Sequence, residues 1–350
     1  MKALRFLGKD RPLTLEDLSL AEPKDDEVVV RVAGCGVCHT DIGFWRDGVP
    51  TKKEPPLTLG HEISGTVESA GPAYRHLVGC DVIVPAVIPC GECALCRSGR
   101  GNVCRSQIMP GNDIDGGFAE RIVVPARGLC PVKYTAGYTL AELSVVADAV
   151  TTPYQAVVRS GLQARQLAII VGAGGVGGYC VQIAAACGAP VVAIDVDAAR
   201  LDTIGDHGAA ATIDASRTEF REIRDRVRHL AREWGCPPHG WKLFECSGSA
   251  AGQQTAWGLL GPAATLMVVG FTLDKIEVRL SNLMAHDATA QGTWGCRPEL
   301  YPEALELVTS GRITLHPFIE QFPLSDGPEV LRRVAEHDID RRAILVPGMN

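Results

Sequence analysis

The chain has 350 residues, enough for two domains, and its 46% hydrophobic and 21% charged content excludes a disordered or fibrous polymer. Its formal net charge of −7 gives no electrostatic support for binding nucleic-acid phosphates. Residues 1–10 lack a signal-peptide pattern, and no apolar run reaches the roughly 18 residues that span a bilayer, so we expect a cytoplasmic protein without a membrane segment.

Residues 1–150 are predicted to be mainly β-structure. Short β-branched segments, such as Val28–Val32 and Val82–Val87, are separated by Gly, Pro and Asp. Two motifs in this region, GCGVCHTD and GHEISG, offer Cys38 and His61 as separated candidate metal ligands. Two ligands alone are weak evidence for a metal site, so the interpretation depends on the rest of the chain.

A group of four cysteines follows within the sequence PCGECALCRSGRGNVC, with the spacing C-x2-C-x2-C-x7-C. The four residues are Cys90, Cys93, Cys96 and Cys104. Thirteen cysteines in a large chain without a secretion signal favour thiolate ligands in a reducing compartment over disulfides. Four thiolates satisfy a tetrahedral zinc ion, so we predict a closed structural zinc site that stabilises this loop. An iron–sulfur cluster is the alternative, but the surroundings lack the ferredoxin arrangement.

The pattern changes near Leu167, where an apolar strand, a glycine turn, an apolar helix and a second strand follow one another. We predict these strands and the helix over Leu167–Val171, Gly177–Cys187 and Val191–Ile194, which is the order of a βαβ unit. Towards the end of the chain, a helical stretch at Pro302–Gly311 precedes a strand at Ala343–Val346. This final segment can return to the first domain.

The turn between the first strand and its helix carries the dinucleotide-binding pattern G-x-G-x-x-G. The first glycine allows the tight turn, the second lets a pyrophosphate approach the helix N-terminus, and the third permits close packing of helix and strand. The residues that we assign to coenzyme binding in this turn are Gly172, Gly174, Gly175, Val176 and Gly177.

Asp195 ends the next predicted strand, 23 residues after Gly172. Its carboxylate can bind both ribose hydroxyls of a dinucleotide and would repel a 2′-phosphate, so NAD is predicted rather than NADP. Arg200 can flank the adenosine ribose, although a surface salt bridge is a competing interpretation.

These motifs, in this order, resemble the medium-chain zinc alcohol dehydrogenase family over essentially the whole chain. The resemblance implies an α/β protein with a GroES-like, mainly-β catalytic domain formed by residues 1–150 and 290–350. Residues 151–289 would then form a Rossmann coenzyme domain with a doubly wound parallel sheet. It also implies NAD-linked oxidation of a secondary alcohol, one catalytic and one structural zinc ion, and a homodimer or homotetramer.

The resemblance implies that the third ligand of the catalytic zinc, often Cys in the family, lies shortly before the coenzyme domain. Asp148 occupies that place in SVVADAVTTPYQAV, and a carboxylate is an accepted zinc ligand that leaves one position open for substrate. A helix cap or a salt-bridge partner is the alternative role for Asp148. Glu62 is a competing ligand that can bind when the open site rearranges, whereas we expect Cys35 to pack within its loop.

Further roles around the zinc site are carried over from the family. Thr40 matches the hydroxyl that receives the alcohol proton, a role for which a hydroxyl is suited because it both donates and accepts; an N-cap is its alternative role. The next relay member, a His in many relatives, is replaced by Gly43, so proton exit needs another route, such as water. We expect His39 to face the coenzyme phosphates and Asp41 to orient the loop.

The remaining carry-over concerns the coenzyme and the substrate. Val269 and Phe271, at a strand end, are assigned to the nicotinamide carboxamide, and Arg342 is assigned to the pyrophosphate. Several longer stretches, including PGNDIDGGFAERIVVPARGLCPV and FECSGSAAGQQTAWGLL, resemble one branch of the family that oxidises alicyclic acyl-CoA thioesters. The Asp148 and Gly43 departures fit that branch, and a missing side chain at residue 43 would make room for a bulky acyl-CoA.

Other functions remain as alternatives. An ordinary secondary-alcohol or polyol dehydrogenase would share the zinc and NAD chemistry, so only its substrates would differ. A zinc-free quinone or enoyl reductase would lack the ligand set. A non-catalytic NAD-binding protein would keep the glycine turn but would have no need of Cys38, His61 and Asp148 together.

Overall fold

The computed structural model describes residues 1–349 and divides into two compact units. The first unit contains Met1–Thr151, Gly295–Thr309 and the described residues from Phe318 onwards, and the second contains Thr152–Trp294 and Ser310–Pro317. Within the described residues, no helix is both long and apolar enough to cross a membrane. Asn350, the last residue of the predicted catalytic domain, lies outside the described residues.

The strands and helices are numbered here in chain order. The strands are β1 Lys2–Phe6, β2 Thr14–Asp17, β3 Glu27–Gly36, β4 Leu57–Thr58, β5 Glu62–Ala70, β6 Asp81–Val84, β7 Arg121–Pro125, β8 Cys130–Pro131, β9 Ala168–Val171, β10 Val191–Asp195, β11 Ala211–Asp214, β12 Lys242–Glu245, β13 Thr265–Val268, β14 Thr289–Gly292, β15 Ile319–Pro323 and β16 Arg342–Val346. The α-helices are α1 His39–Ile42, α2 Ala94–Arg97, α3 Thr151–Ser160, α4 Gly177–Ala186, α5 Ala198–Gly205, α6 Phe220–Glu233, α7 Ala250–Gly258, α8 Ser281–His286, α9 Tyr301–Thr309 and α10 Gly327–Ala335. A π-helical turn follows α1 at Gly43–Asp47, and 3-10 turns occupy Pro72–Leu77, Gly101–Val103, Glu142–Ala147, Pro298–Leu300 and Leu324–Asp326.

The first unit is built on a largely antiparallel sheet. Its strand order is β15-β16-β3-β5-β6-β8, with β7 also paired to β3, and a smaller sheet has the order β2-β1-β4. Strand β3 is the centre, since it pairs with β5, β7 and β16. Apolar residues from several of these strands, among them Val30, Ile63 and Leu345, form one buried core. The return of β16 to this sheet agrees with the expected course of the final segment.

The second unit is a parallel six-stranded sheet with the order β11-β10-β9-β12-β13-β14. The chain leaves β9 for β10 on one side and later returns to β12 on the other side of β9. This reversal creates the switch point at which doubly wound sheets bind ligands, beyond the carboxyl ends of the strands. Strand β9, with the sequence AIIV, is buried throughout, as expected for a central parallel strand covered on both faces. The predicted α/β class, with one mainly-β unit and one doubly wound unit, is confirmed.

The boundaries of the second unit differ from those predicted. Residue 289, the predicted last residue of the coenzyme domain, lies at the start of β14, which pairs with β13 and extends the parallel sheet. Ser310–Pro317 also belongs to the second unit, where the side chain of Gln182 exchanges hydrogen bonds with the backbone of Thr314. Both differences arise from contacts between segments that are remote in sequence.

Candidate functional site

Cys38 lies two residues after the end of β3 and directly precedes α1. The buried carboxylate of Asp41 accepts hydrogen bonds from the Cys38 N–H at 3.0 Å and from the Gly60 N–H at 3.0 Å. One side chain therefore holds both of the loops that carry the candidate ligands Cys38 and His61. Asp41 has the loop-orienting position that was expected of it.

His61 lies between a glycine in the left-handed backbone region and strand β5. Gly60 has a φ of +95°, and a Cβ at this position would lie 2.6 Å from Phe118 and 2.8 Å from the Cys35 sulfur. Glycine is therefore required for the turn that places His61 at the start of β5. The imidazole is almost completely buried, with Nδ1 3.6 Å from the Asp41 carboxylate. Cys35 is buried against this turn, as its predicted packing role requires.

Asp148 ends the 3-10 turn Glu142–Ala147 with a non-helical backbone, at φ −143° and ψ −55°. Its Oδ2 lies 3.7 Å from His61 Nε2 and 3.8 Å from Cys38 Sγ. Ligand atoms bound to one tetrahedral zinc ion at about 2.0–2.3 Å are separated from one another by about 3.3–3.8 Å. Asp148 therefore has the spacing that a zinc ion needs from both other side chains, and all three ligand atoms lie within 4.8 Å of one another. The Thr40 hydroxyl lies beside them, 3.6 Å from Cys38 Sγ.

The charges around this cluster also favour a cation. Burial alone would lower the pKa of His61, but the carboxylates of Asp41 and Asp148 outweigh it and hold that pKa well above its usual value. Burial raises the pKa of Glu62 to about 7, although the Arg342 guanidinium opposes the shift. Carboxylates crowded around a thiol and an imidazole are stabilised by a divalent ion, and sulfur, nitrogen and oxygen donors suit zinc.

Glu62 belongs to the same cluster, but one of its carboxylate oxygens is bonded to Arg342. Its Oε1 accepts a hydrogen bond from the Arg342 guanidinium at 2.5 Å, and among the described residues its Oε2 has no hydrogen-bond partner. All four ligand atoms of Cys38, His61, Glu62 and Asp148 lie within 4.8 Å of one another. Arg342, which the resemblance assigned to the coenzyme pyrophosphate, is buried in the first unit with Glu62 as a partner, so its coenzyme role stays a prediction.

The four cysteines of the second cluster converge around α2. Their sulfur atoms are 3.5–3.8 Å apart in four pairs, which matches a tetrahedron of thiolates around one zinc ion. Backbone N–H donors lower the pKa of Cys90 to about 6, whereas burial and the adjacent thiol of Cys93 raise the pKa of Cys96 to about 12. Thiols this close cannot all ionise without a cation between them, so the residues fit a closed zinc site.

The glycine turn of the second unit lies between β9 and α4. Gly172 has a φ of +92°, and a Cβ there would lie 2.5 Å from the Ser247 backbone. A Cβ at Gly177 would lie 1.7 Å from the Gly172 carbonyl oxygen, so close packing requires glycine at both positions. At Gly174 the nearest neighbour of a Cβ would be Arg200, at 3.6 Å. The space over the second glycine is the space that a pyrophosphate needs.

Asp195 is buried at the end of β10 and is bonded to this turn. Its Oδ2 accepts from the Ala173 N–H at 2.5 Å, and its Oδ1 accepts from the N–H groups of Val196 at 2.7 Å and Asp197 at 3.0 Å. The carboxylate therefore stabilises the turn as well as lying where a ribose is expected. Arg200 forms the predicted alternative salt bridge, with Nε 3.4 Å from Asp197 Oδ2, and also reaches Gly174.

Three further assigned residues lie outside these clusters. Val269 follows β13 and donates its N–H to the Glu245 carbonyl at 2.9 Å, while Phe271 has a 62% exposed side chain. His39 is exposed in the first unit and stacks on His337, with the ring centroids 5.6 Å apart. Their coenzyme roles stay predictions.

Sequence reasoning missed Glu245, a fully buried carboxylate at the carboxyl end of β12. Its Oε1 accepts hydrogen bonds from the N–H and hydroxyl of Ser247, at 2.8 and 2.5 Å, and from the Gly248 N–H at 3.2 Å. Burial raises its pKa above the usual value. The available signal was an acidic residue directly after the apolar pair Leu243–Phe244 and directly before the polar turn CSGS.

Two family models match the chain. Residues 24–134 match the model described as alcohol dehydrogenase GroES-like domain, and residues 175–310 match the model described as zinc-binding dehydrogenase. The first match carries both candidate metal clusters except Asp148, and the second begins within the glycine turn.

Similar proteins support the same family. An alcohol dehydrogenase of Geobacillus stearothermophilus is 28% identical over 349 residues, covering 99% of each chain. An NAD-dependent alcohol dehydrogenase of Sulfurisphaera tokodaii is 33% identical over 242 residues, which covers 64% of this chain and 67% of that protein. The crystal structure of the alcohol dehydrogenase from Aeropyrum pernix has a TM-score of 0.86 at 29% identity, with 99% of this chain and 100% of that chain covered.

Proposed function

Since the chain belongs to the medium-chain zinc-dependent alcohol dehydrogenase family and is an alcohol-oxidising enzyme, we propose that it oxidises 6-hydroxycyclohex-1-ene-1-carbonyl-CoA to 6-oxocyclohex-1-ene-1-carbonyl-CoA with NAD. The observation that carries the chemistry is the convergence of Cys38, His61 and Asp148: Asp148 Oδ2 lies 3.7 Å from His61 Nε2 and 3.8 Å from Cys38 Sγ, and the three ligand atoms lie within 4.8 Å of one another. The substrate rests on the sequence stretches that resemble the acyl-CoA branch of the family. This reaction belongs to anaerobic breakdown of aromatic compounds through benzoyl-CoA.

Some of the site residues would bind zinc or NAD, and another would transfer the proton of the alcohol. Cys38, His61 and Asp148 would hold the catalytic zinc, with Glu62 adjacent, and the glycine turn and Asp195 would hold NAD. When bound, zinc supplies Lewis acidity that stabilises negative charge on the alcohol oxygen, and NAD accepts the hydride from the carbinol carbon.

The Thr40 hydroxyl takes part in moving the proton of the alcohol. It lies beside the ligand cluster, 3.6 Å from Cys38 Sγ, and can accept one proton while it donates another. Each turnover removes one hydride and one proton, so the alcohol becomes a ketone and NAD becomes NADH. With Gly43 in place of a relay histidine, the proton leaves by another route, such as water.

Asp195 supports NAD rather than NADP. Its carboxylate is already bonded to three backbone N–H groups of the turn and the following loop, so it is held in place. A fixed negative charge at a ribose site repels a 2′-phosphate. The cluster of four cysteines would hold the structural zinc and would not take part in the reaction.

We also propose that the protein is cytoplasmic and forms a homo-oligomer. The thirteen cysteines are free thiols in the structure, eight of them outside the two metal clusters, and this composition suits a reducing cytoplasm. Family resemblance supports a homodimer or homotetramer. The proposed partner is a water-soluble small molecule, and we propose no membrane or nucleic-acid partner.

A substrate panel tests the proposal. NADH formation is measured with zinc-replete protein, using the CoA ester beside simple cyclic and linear secondary alcohols and polyols. We expect efficient turnover of the CoA ester alone. Turnover of simple alcohols or polyols, with no turnover of the CoA ester, would favour the second candidate, a general secondary-alcohol or polyol dehydrogenase. A protein that binds NAD but has no catalytic zinc and no turnover would be a non-catalytic NAD-binding protein.

The space at Gly43 allows a matched comparison within this panel. A Cβ at residue 43 would meet Val49 at 3.6 Å and Asp47 at 4.0 Å, which are ordinary contacts, so Gly43→Ala is the control. We expect Gly43→His to lower kcat/KM for the CoA ester about 10-fold or more, because the imidazole ring occupies volume that the alicyclic acyl group of the substrate uses. Full turnover of the CoA ester by Gly43→His would remove the steric argument.

A further inference from the structure

Tyr301 begins α9 in the first unit and is completely buried. Its hydroxyl donates a hydrogen bond to the Ala147 carbonyl oxygen at 2.5 Å and accepts one from the Ala86 N–H at 3.1 Å. One oxygen atom therefore joins two segments that are far apart in the sequence. One of them is the 3-10 turn that ends at Asp148.

The Ala147 carbonyl is the peptide group directly before Asp148. A planar peptide transmits the position of its carbonyl oxygen to the next Cα, so a fixed carbonyl also fixes the start of Asp148. The Thr151 hydroxyl donates to the same oxygen at 3.1 Å. Two side-chain hydroxyls thus satisfy a buried carbonyl at the point where Asp148 leaves helical geometry.

The second partner of Tyr301 connects this turn to the sheet that carries His61. Ala86 follows β6 by two residues, and the last residue of β6, Val84, pairs with Ile63 of β5. His61 directly precedes β5, with Nε2 3.7 Å from the Asp148 carboxylate. Tyr301 therefore bridges the two segments whose side chains meet in the candidate zinc site.

We propose that Tyr301 is a positioning residue, whose hydroxyl fixes the Ala147–Asp148 peptide relative to strands β5 and β6 so that Asp148 and His61 converge on one metal ion. The inference rests on the proposed zinc site. Burial raises the pKa of Tyr301 well above its usual value, so the hydroxyl stays protonated and remains a donor. Its hydroxyl bonds to the backbone of Ala147 and Ala86, so it acts through the backbone that precedes Asp148.

The test compares Tyr301→Phe with Thr66→Val in the full chain. Thr66 provides a control, because its hydroxyl forms a hydrogen bond to Asp81 at 2.7 Å across the same β5–β6 pair and has no hydrogen bond to the Ala147 carbonyl. The measurements are retention of catalytic zinc against a chelator, the visible absorption bands of the cobalt-substituted site, kcat and KM. We expect Tyr301→Phe to shift the cobalt bands and to lower metal affinity and kcat by about 10- to 100-fold, as for other residues that orient metal ligands. Thr66→Val should match the unmodified chain in all four.

Cobalt bands and kcat unchanged in Tyr301→Phe, with only a lower Tm, would overturn the positioning role. If Tyr301→Phe does not fold, Thr151→Val removes the other donor to the Ala147 carbonyl and leaves Tyr301 in place. Unchanged cobalt bands in Thr151→Val would support Tyr301 as the residue that fixes this peptide, whereas shifted bands would overturn the proposal. The cobalt spectrum needs no substrate. A chain with normal bands that does not turn over the CoA ester would therefore contradict the proposed substrate and leave the Tyr301 comparison intact, whereas an unmodified chain without a cobalt signal at this site would overturn both.

Discussion

At the scale of single residues, the most informative position is Asp148. The family often has a cysteine there, and a carboxylate changes the donor from sulfur to oxygen while keeping a negative charge. The structure places Asp148 Oδ2 at 3.7–3.8 Å from both other ligand atoms, a spacing that zinc bonds of about 2.0–2.3 Å produce. Its side chain is 15% exposed, whereas that of His61 is 2% exposed.

Asp148→Asn tests this ligand. The amide keeps the shape of the side chain but removes its charge, so we expect loss of the catalytic zinc and a fall in kcat of at least about 100-fold, beyond what is usual for residues that only orient ligands. Metal analysis should still find the structural zinc. Asp148→Cys, which restores the common family ligand, should keep both metal ions. Full zinc content and activity in Asp148→Asn would exclude Asp148 as a ligand.

At the scale of elements, the junction of β9 and α4 shows how a short motif sets a local geometry. The carbonyl oxygen of Gly172 lies so close to residue 177 that no side chain fits between them. The Asp195 carboxylate then ties the end of β10 to the Ala173 N–H at 2.5 Å. Strand, turn and helix are therefore held together by a close backbone approach and by one side-chain carboxylate, which leaves the helix N-terminus free to face the coenzyme phosphates.

Gly177→Ala is expected to damage this junction. Its Cβ would lie 1.7 Å from the Gly172 oxygen and 2.8 Å from the Gly172 carbonyl carbon, so the turn must move. We expect KM for NAD to rise at least about 10-fold and stability to fall by about 1–3 kcal/mol, as is usual for overpacking. The control is Gly205→Ala in α5, where a Cβ meets nothing within 4 Å. Equal NAD affinity in both variants would show that the third glycine is not required for binding.

At the scale of the whole molecule, the two units divide the functions between them. Both metal clusters lie in the first unit, and the glycine turn with Asp195 lies in the second. The first unit is assembled from three chain segments, because the second unit is inserted within it. The cluster of four cysteines holds a loop with little regular structure, in which α2 is only four residues long, so a metal ion is expected to supply much of its stability.

Cys93→Ser is predicted to separate the two functions. It removes one of four thiolate ligands, so we expect loss of the structural zinc and a stability loss of about 4 kcal/mol, which corresponds to a Tm lower by about 8–16 °C. NAD binding, followed by NADH fluorescence, should remain, because its residues belong to the second unit. Cys187→Ser, at an exposed cysteine outside both clusters, is the control. An unchanged zinc content in Cys93→Ser would contradict the structural zinc assignment.

Much of the candidate site could be predicted because its residues lie in short motifs. The four cysteines fall within 15 positions, and the glycine turn within six, so their spacing already restricts how they can fold. The Arg342–Glu62 pair joins residues 280 positions apart, and the Tyr301–Ala147 bond joins residues 154 apart. Neither pair leaves a periodic pattern, so neither could be recognised before the strands were placed.

The sequence by itself determined the α/β class, the cysteine cluster, the glycine turn and the family, because each depends on residue types at short, fixed spacings. Only the tertiary structure decided that Asp148 meets Cys38 and His61, that Arg342 bonds to Glu62, and that β14 and residues 310–317 join the second unit. The physical reason is that sheet pairing and core packing bring these segments together. Such contacts depend on the burial and backbone pairing of the whole unit rather than on any local sequence.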